Sequence, residues 1–287
     1  MEFLTVFTPT YNRKERIRTL YDSLRRQVCK EFVWLIVDDG SSDGTGEYIA
    51  KIRETAPFAI EYFFQTNSGK SSAHNKGVEL TRTPLFTCVD SDDYLIPDCV
   101  GLIKEKWKYK GDCDVGILAF CSQTKMPDTK RVVRTTLKNA YDHLRLRGDT
   151  MLVYETRRIR RYRFPSFPGE KFVPENYLYD LLDQDGTLLL LPDVLYVAEY
   201  FPDGYTHCMS RVIKNNPFGY IAYIEQRLRF DKGLKNRFLD MIRYIAILRV
   251  VKKSVFSKQA NKALAFFAYP FGVLLYLKKY RAERNCR

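Results

Sequence analysis

Short apolar runs alternate with helix-patterned stretches over the first 95 residues or so, and this constrains the chain more than any other feature. Residues 3–8, 32–37, 60–64 and 85–89 are runs of β-branched, aliphatic and aromatic side chains of single-strand length. Between them, residues 13–27, 46–53 and 71–80 carry helical spacing. In the first of these, Ile17, Leu20, Tyr21 and Leu24 share a face. Strands that alternate with helices predict an α/β fold with a mostly parallel sheet covered on both sides. Ligands of such sheets bind beyond the carboxyl ends of the strands. Here two of those ends are acidic. Strand two runs into Asp38-Asp39-Gly40-Ser41-Ser42-Asp43-Gly44-Thr45, and strand four into Asp90-Ser91-Asp92-Asp93.

Each end suits a different task. Asp90 and Asp92, two residues apart at a strand end, can reach one ligand together. They suit a hard divalent cation that also grips phosphate oxygens. Asp39 can accept hydrogen bonds from a base or ribose, because Asp43 and Thr45 are better placed to cap the following helix. Asn67, Gly69, Lys70, Asn75 and Gly77 surround the start of the third helix, where Gly and Lys favour an anion. Neither a Walker A loop nor a dinucleotide fingerprint is complete, since position 64 is Phe and Gly44-Thr45-Gly46 stands alone.

Further along, residues 97–110 read as a helix and 115–120 as a strand. Residues 125–163 give no clear period and hold Arg157, Arg158, Arg160, Arg161 and Arg163. Three prolines make 164–174 a loop; 175–182 reads as a helix, and 187–191 and 194–200 as strands. The net charge of +13 is concentrated at the end: from residue 232 onward, fourteen Lys or Arg face only Asp240 and Glu283. The remainder is near neutral, which argues against a nucleic-acid-binding surface. Seven cysteines without CxxC spacing predict reduced thiols, and the first residues lack the pattern of a signal peptide. The last segment is amphipathic and basic. Residues 263–277 are uncharged but broken by Pro270 and Gly272, and are shorter than the about 20 residues a spanning helix needs. That predicts a helical appendage lying on an anionic membrane surface, with packing on the catalytic domain or a homodimer contact as the alternatives.

Together, Thr8-Pro9-Thr10-Tyr11-Asn12-Arg13, the Asp38–Thr45 run, Asn67-Ser68-Gly69 through His74-Asn75-Lys76-Gly77 and Asp90-Ser91-Asp92-Asp93 resemble the family 2 glycosyltransferases of the GT-A fold, over roughly residues 1–125. Gly169-Glu170-Lys171-Phe172-Val173-Pro174-Glu175 is similar to the acceptor-side motif of a bacterial subgroup, and Asp203-Gly204-Tyr205-Thr206 to the segment that follows it. One position departs: His74 stands where the family motif commonly has Arg, and Lys70 is the candidate to replace its phosphate contact.

The resemblance implies a GT-A domain over 1–231, with a nucleotide-sugar half (1–125) and an acceptor half (126–231), followed by the helical tail 232–287. Pro9 and Asp39 would hold the nucleoside, with Asn67, Gly69, Lys70, Asn75 and Ser91 also on the nucleotide-sugar side. Asp92 would bind Mn²⁺ or Mg²⁺, Asp90 the ribose or the metal, and His207 the diphosphate or the metal. Asp93 and Glu170 would face the acceptor. Glu175, which opens a helix on the acceptor side, is the expected catalytic base. The implied activity is an inverting transfer from a UDP-sugar to a saccharide or polyprenyl-linked acceptor in cell-surface polysaccharide synthesis, at the cytoplasmic face of the membrane. Two rivals are a nucleotidyltransferase and a non-catalytic sugar- or membrane-binding protein. The first would carry a Gly- and Arg-rich loop after strand one; the second has no use for the full acidic set.

Overall fold

The computed structural model describes residues 2–126, 129, 132–199, 205–231, 233–255 and 261–281. Its first strands follow the sequence pattern closely. β1 (Leu4–Thr10) is buried along its length, and β2 (Phe32–Asp38) nearly so. Helices α1 (Lys14–Arg25), α2 (Thr45–Arg53) and α3 (Lys70–Leu80) separate β1, β2, β3 (Ala59–Phe64) and β4 (Leu85–Cys88). β1 pairs in parallel with both β2 and β4, and β2 with β3. Leu4, Trp34, Leu20 and Ile17 are completely buried between this sheet and its helices.

Beyond β4 come β5 (Tyr94–Leu95), α4 (Cys99–Trp107), β6 (Asp114–Cys121), β7 (Arg134–Thr135), α5 (Leu137–Asp142), β8 (Thr150–Glu155), α6 (Thr156–Ile159), α7 (Asn176–Leu182) and β9 (Thr187–Val197). The strand order is β3-β2-β1-β4-β8-β6-β9-β5, with β7 on β9. β8, which the sequence pattern did not reveal, inserts antiparallel between β4 and β6. The two strands expected at 187–191 and 194–200 are one strand. Its pairing with β6 shifts between Leu191 and Val194, where Pro192 interrupts the ladder. The arginine run after β8 is consumed locally. Arg157 and Arg158 pair with Glu155, Arg161 pairs with Asp185, and Arg160 donates to the carbonyls of Val78 and Thr81 at the end of α3.

The chain forms two compact units: Met1–Arg163 with Leu178–Glu199, and Phe164–Tyr177 with Tyr200–Arg287. This division differs from the boundary expected at residue 231. The second unit contains α8 (Tyr205–Asn215), α9 (Pro217–Phe230), α10 (Leu234–Val250) and α11 (Lys262–Tyr276), with a last wide helical turn, Leu277–Arg281. Met241, Tyr244, Ile245 and Leu248 of α10 are buried in one cluster with Ile221 and Ile224 of α9 and Ala265 and Ala268 of α11. The buried Asp240 is held by Arg227 (2.8 Å) and Arg243 (2.6 Å). The basic segment is therefore part of a shared core, and α10 spends its apolar face inside it.

Candidate active site

The carboxyl edge of the parallel strands brings the first three sequence groups together. The turn after β1 and the turn after β2 are locked to each other. Asn12 accepts from the Ser42 amide through Oδ1 (2.8 Å), and its own amide donates to Ser41 Oγ (2.8 Å). Asp43 accepts from the amides of Lys14 and Thr45, both 3.0 Å, and so serves the starts of α1 and α2 at once. Asp38 is structural: its carboxylate accepts from the Ser41 amide and the Tyr62 hydroxyl. Pro9 lies near the end of β1, beyond the last β4 pairing at Phe7–Cys88, where a strand tolerates a missing N–H.

Asp39 is only 5% exposed. It accepts from the amides of Ser68 (2.8 Å) and Gly69 (2.7 Å) and from Gln65 Nε2 (2.7 Å). A carboxylate has about four acceptor positions, so one remains for a ligand. Its present task is to fix the loop at Asn67–Gly69. Gly69 has φ 91° and ψ 161°, a region essentially reserved for glycine, and α3 begins immediately after it. Lys70, the first residue of α3, places its Nζ 2.7 Å from both oxygens of Asp90. Asn75 sits half-buried in the second turn of α3.

Past β4 the chain turns through Asp90, the buried Ser91, Asp92 and Asp93. Asp93 accepts from the Glu199 amide at 3.2 Å. Burial, then the neighbouring carboxylates, push the Asp93 carboxyl up to about 8; burial and Asp90 raise that of Asp92 as well. Arg13 and Arg16 reach Asp92 loosely, with Nη1 at 3.7 and 3.6 Å. Sequence reasoning missed this pair, although i,i+3 spacing at the start of α1 already put both on one face.

The cluster fits a divalent cation. Two of its carboxylates, Asp92 and Asp93, resist ionisation despite nearby cations, so added positive charge would relieve them. Among the described residues no three His, Cys, Asp or Glu side chains form a complete cage. Mg²⁺-like ions commonly take only one or two carboxylates and complete their shell with substrate phosphates and water.

His74 faces inward. It is 5% exposed, packed edge-on against Phe7 (5.7 Å between ring centroids) and Phe86 (5.3 Å). Burial, with Lys70 nearby, lowers its pKa to about 3. It is thus a neutral core residue, and the cation at this helix start is Lys70. Between about pH 6.5 and 3 the unfolded chain binds a proton here that the folded one refuses, so stability falls as pH drops through that window. The loss should be on the order of 1 kcal/mol per pH unit below 6.5. Melting curves of the parent and of His74→Leu from pH 7 to pH 4 check it: the variant should lose this part of the acid slope. An unchanged slope refutes the assignment.

In the second unit, Glu170, expected to face the acceptor, is held by backbone amides. Its two oxygens accept from the amides of Phe218 (2.8 Å) and Gly219 (2.7 Å) and anchor the first turn of α9. The Lys171 amide donates to Asn216 Oδ1 (2.7 Å), and Gln226 Nε2 donates to the Tyr177 carbonyl (2.7 Å). The segment is thereby fastened along α9. Glu175 is exposed and directly precedes α7. The side chain of His207 lies outside the described residues.

Residues 5–166 match Glycosyl transferase family 2. Glycosyltransferase GlyA of Streptococcus pneumoniae serotype 4 is 29% identical over 206 residues, covering 68% of this chain and 29% of that protein. A poly-beta-1,6-N-acetyl-D-glucosamine synthase of Staphylococcus aureus is 34% identical over 110 residues, 38% of this chain and 26% of its own length. The chain thus spans less than a third of these relatives. Among solved structures, S. aureus TarS 1-349 in complex with UDP aligns with TM-score 0.60 at 18% identity, over 100% of this chain and 93% of that one. The mannosyltransferase PcManGT from Pyrobaculum calidifontis, in complex with GDP-Man and Mn²⁺, aligns with TM-score 0.57 at 17% identity, over 97% and 82%. Both share the GT-A arrangement of sheet and flanking helices.

Proposed function

The chain belongs to glycosyl transferase family 2, and we propose that it transfers a sugar, with inversion, from a UDP-sugar to a saccharide or polyprenyl-linked acceptor in cell-surface polysaccharide synthesis. One observation carries the proposal. Asp39, the Gly69–Lys70 helix start and the Asp90–Asp92 turn meet at the carboxyl edge of the sheet, joined by hydrogen bonds. A nucleoside diphosphate needs the same three provisions: a carboxylate for base or ribose, amides and a cation for phosphate, and acids for a metal.

Pro9 and Asp39 would cradle the nucleoside, with Asn67, Asn75 and Ser91 lining the donor side. Lys70 would leave Asp90 for the diphosphate. Asp92, with Asp90, would hold Mn²⁺ or Mg²⁺; when bound, the ion offsets charge on the leaving diphosphate. Glu175 would take the proton of the acceptor hydroxyl as its oxygen bonds to the anomeric carbon. The bond to the diphosphate breaks with its electron pair, releasing UDP. UDP in the TarS complex supports the nucleotide, and Mn²⁺ in the PcManGT complex supports the metal. We place this work at the cytoplasmic face of the membrane.

The test is a panel of UDP-, GDP- and dTDP-sugars with Mn²⁺, read by melting and by product analysis. A UDP-sugar should stabilise the protein and yield free UDP with transferred or hydrolysed sugar. Stabilisation by guanine or thymine nucleotides alone would replace the donor. A new nucleotide sugar with pyrophosphate would make the protein a nucleotidyltransferase.

A further inference from the structure

Helix α11 is built inside out for a water-facing helix. Its inner face, against α10, is made of small residues: Ala265, Ala268 and Gly272 are buried. At Gly272 a Cβ would lie 2.6 Å from Ile245, so the two helices pack too closely here for a side chain. The large apolar side chains point the other way. Phe266 is 69% exposed, Phe267 67%, Leu274 63% and Phe271 53%. A helix that seeks its own core puts its large residues inward; here the three phenylalanines form an apolar hollow open to the outside with Tyr269 and Pro270.

The rim of this face is cationic. Lys262 precedes it, and Lys278, Lys279 and Arg281 close its far end, all exposed. From 262 to 281 there is no Asp or Glu. Arg249 of α10 extends to the Tyr269 hydroxyl (3.1 Å) and stacks over Tyr276 (5.4 Å). No helix among the described residues is long and apolar enough to cross a membrane.

We infer that this face of α11 is a docking surface for an anionic lipid bilayer, with the phenylalanines entering the acyl boundary and the cations meeting the headgroups. Apolar side chains flanked by Lys and Arg match that interface in both layers. The inference deepens the membrane placement above, naming its surface, and is independent of the transfer reaction. It also narrows the expectation from sequence. α10 is core, so deleting residues 232–287 would unfold the second unit, and substitutions on α11 are the sound probe.

The experiment is flotation of the full chain with vesicles of phosphatidylglycerol and phosphatidylcholine, against pure phosphatidylcholine. The parent should float with the anionic vesicles and be released at about 0.5 M NaCl. Phe266→Ser/Phe267→Ser/Phe271→Ser should lower the partition coefficient at least about tenfold, and Lys278→Gln/Lys279→Gln/Arg281→Gln should abolish the preference for anionic lipid. Both variants should keep the parent's UDP-dependent melting shift and circular dichroism, so failure of the donor site is read separately. A parent that does not float, or a triple Phe variant that floats equally well, overturns the inference. So does a parent dimer that the Phe substitutions convert to monomer without any flotation, which would make the face a self-association surface.

Discussion

Glu175→Gln is expected to lose at least about 100-fold in turnover while still folding and still gaining stability from UDP with Mn²⁺. The acceptor-side segment offers two acids, Glu170 and Glu175. Both oxygens of Glu170 are taken up by the amides of Phe218 and Gly219 at the start of α9. Glu175 is exposed and precedes α7, a helix of seven residues. Gln keeps the shape of Glu but cannot accept a proton at the pH of the assay. Glu170→Gln should show the opposite pattern. Without the charge at the helix start, and with an amide group now facing a backbone N–H, the second unit should lose about 0.5–2 kcal/mol. Turnover of the folded fraction should stay within about fivefold of the parent. Single-turnover rates with saturating donor, alongside melting curves, distinguish the two. An active Glu175→Gln with a dead but stable Glu170→Gln would exchange the roles.

The second large effect concerns Asp92. With UDP and Mn²⁺ at about 100 times their dissociation constant, a site that binds only the native state adds about 2.7 kcal/mol, or about 5–10 °C in a chain of this size. Asp92→Ala should remove the part of that gain that depends on metal. Raised proton affinity at Asp92, from burial and from Asp90, means that its surroundings oppose the charge even with Arg13 and Arg16 near. The unliganded variant should therefore melt no lower than the parent, the usual exchange of stability for function. UDP binding in chelator should survive, since Asp39, Gly69 and Lys70 remain. If UDP with Mn²⁺ stabilises Asp92→Ala as much as the parent, the metal does not sit on this carboxylate.

The first half of the fold was legible because its signals are local. β1 to β4 are single apolar runs, each closed by turn chemistry, and Asp43 caps as its position implied. What stayed hidden is non-local. β8 pairs with β4 and β6 across long stretches of sequence, and nothing in Thr150–Glu155 states its partners. The same limit applied at the site. Asp39, Lys70 and Asp90 could be named from their positions at strand and helix ends, but not the convergence of Arg13 and Arg16 on Asp92. Nor could the attachment of Glu170 to α9 be read. His74 was visible as a departure; its seat between Phe7 and Phe86 required the sheet. For α10 and α11, amphipathic spacing announced apolar faces and was silent on what covers them: core for Met241 and Ile245, open surface for Phe266 and Phe271.

The path Asp39–Gly69–Lys70–Asp90 has a consequence for how this edge responds to change. The two acids belong to strands on opposite sides of β1, yet they are joined through consecutive residues of a third segment. Releasing the Gly69 amide at one end loosens the start of α3, and with it the ammonium that neutralises the other end. Free energies of substitution add only at sites that share no partner; here every member shares one. The edge is expected to respond as one cooperative element, so that an occupant held at the end of β2 would alter the electrostatic balance at the end of β4 with no movement of the sheet between them.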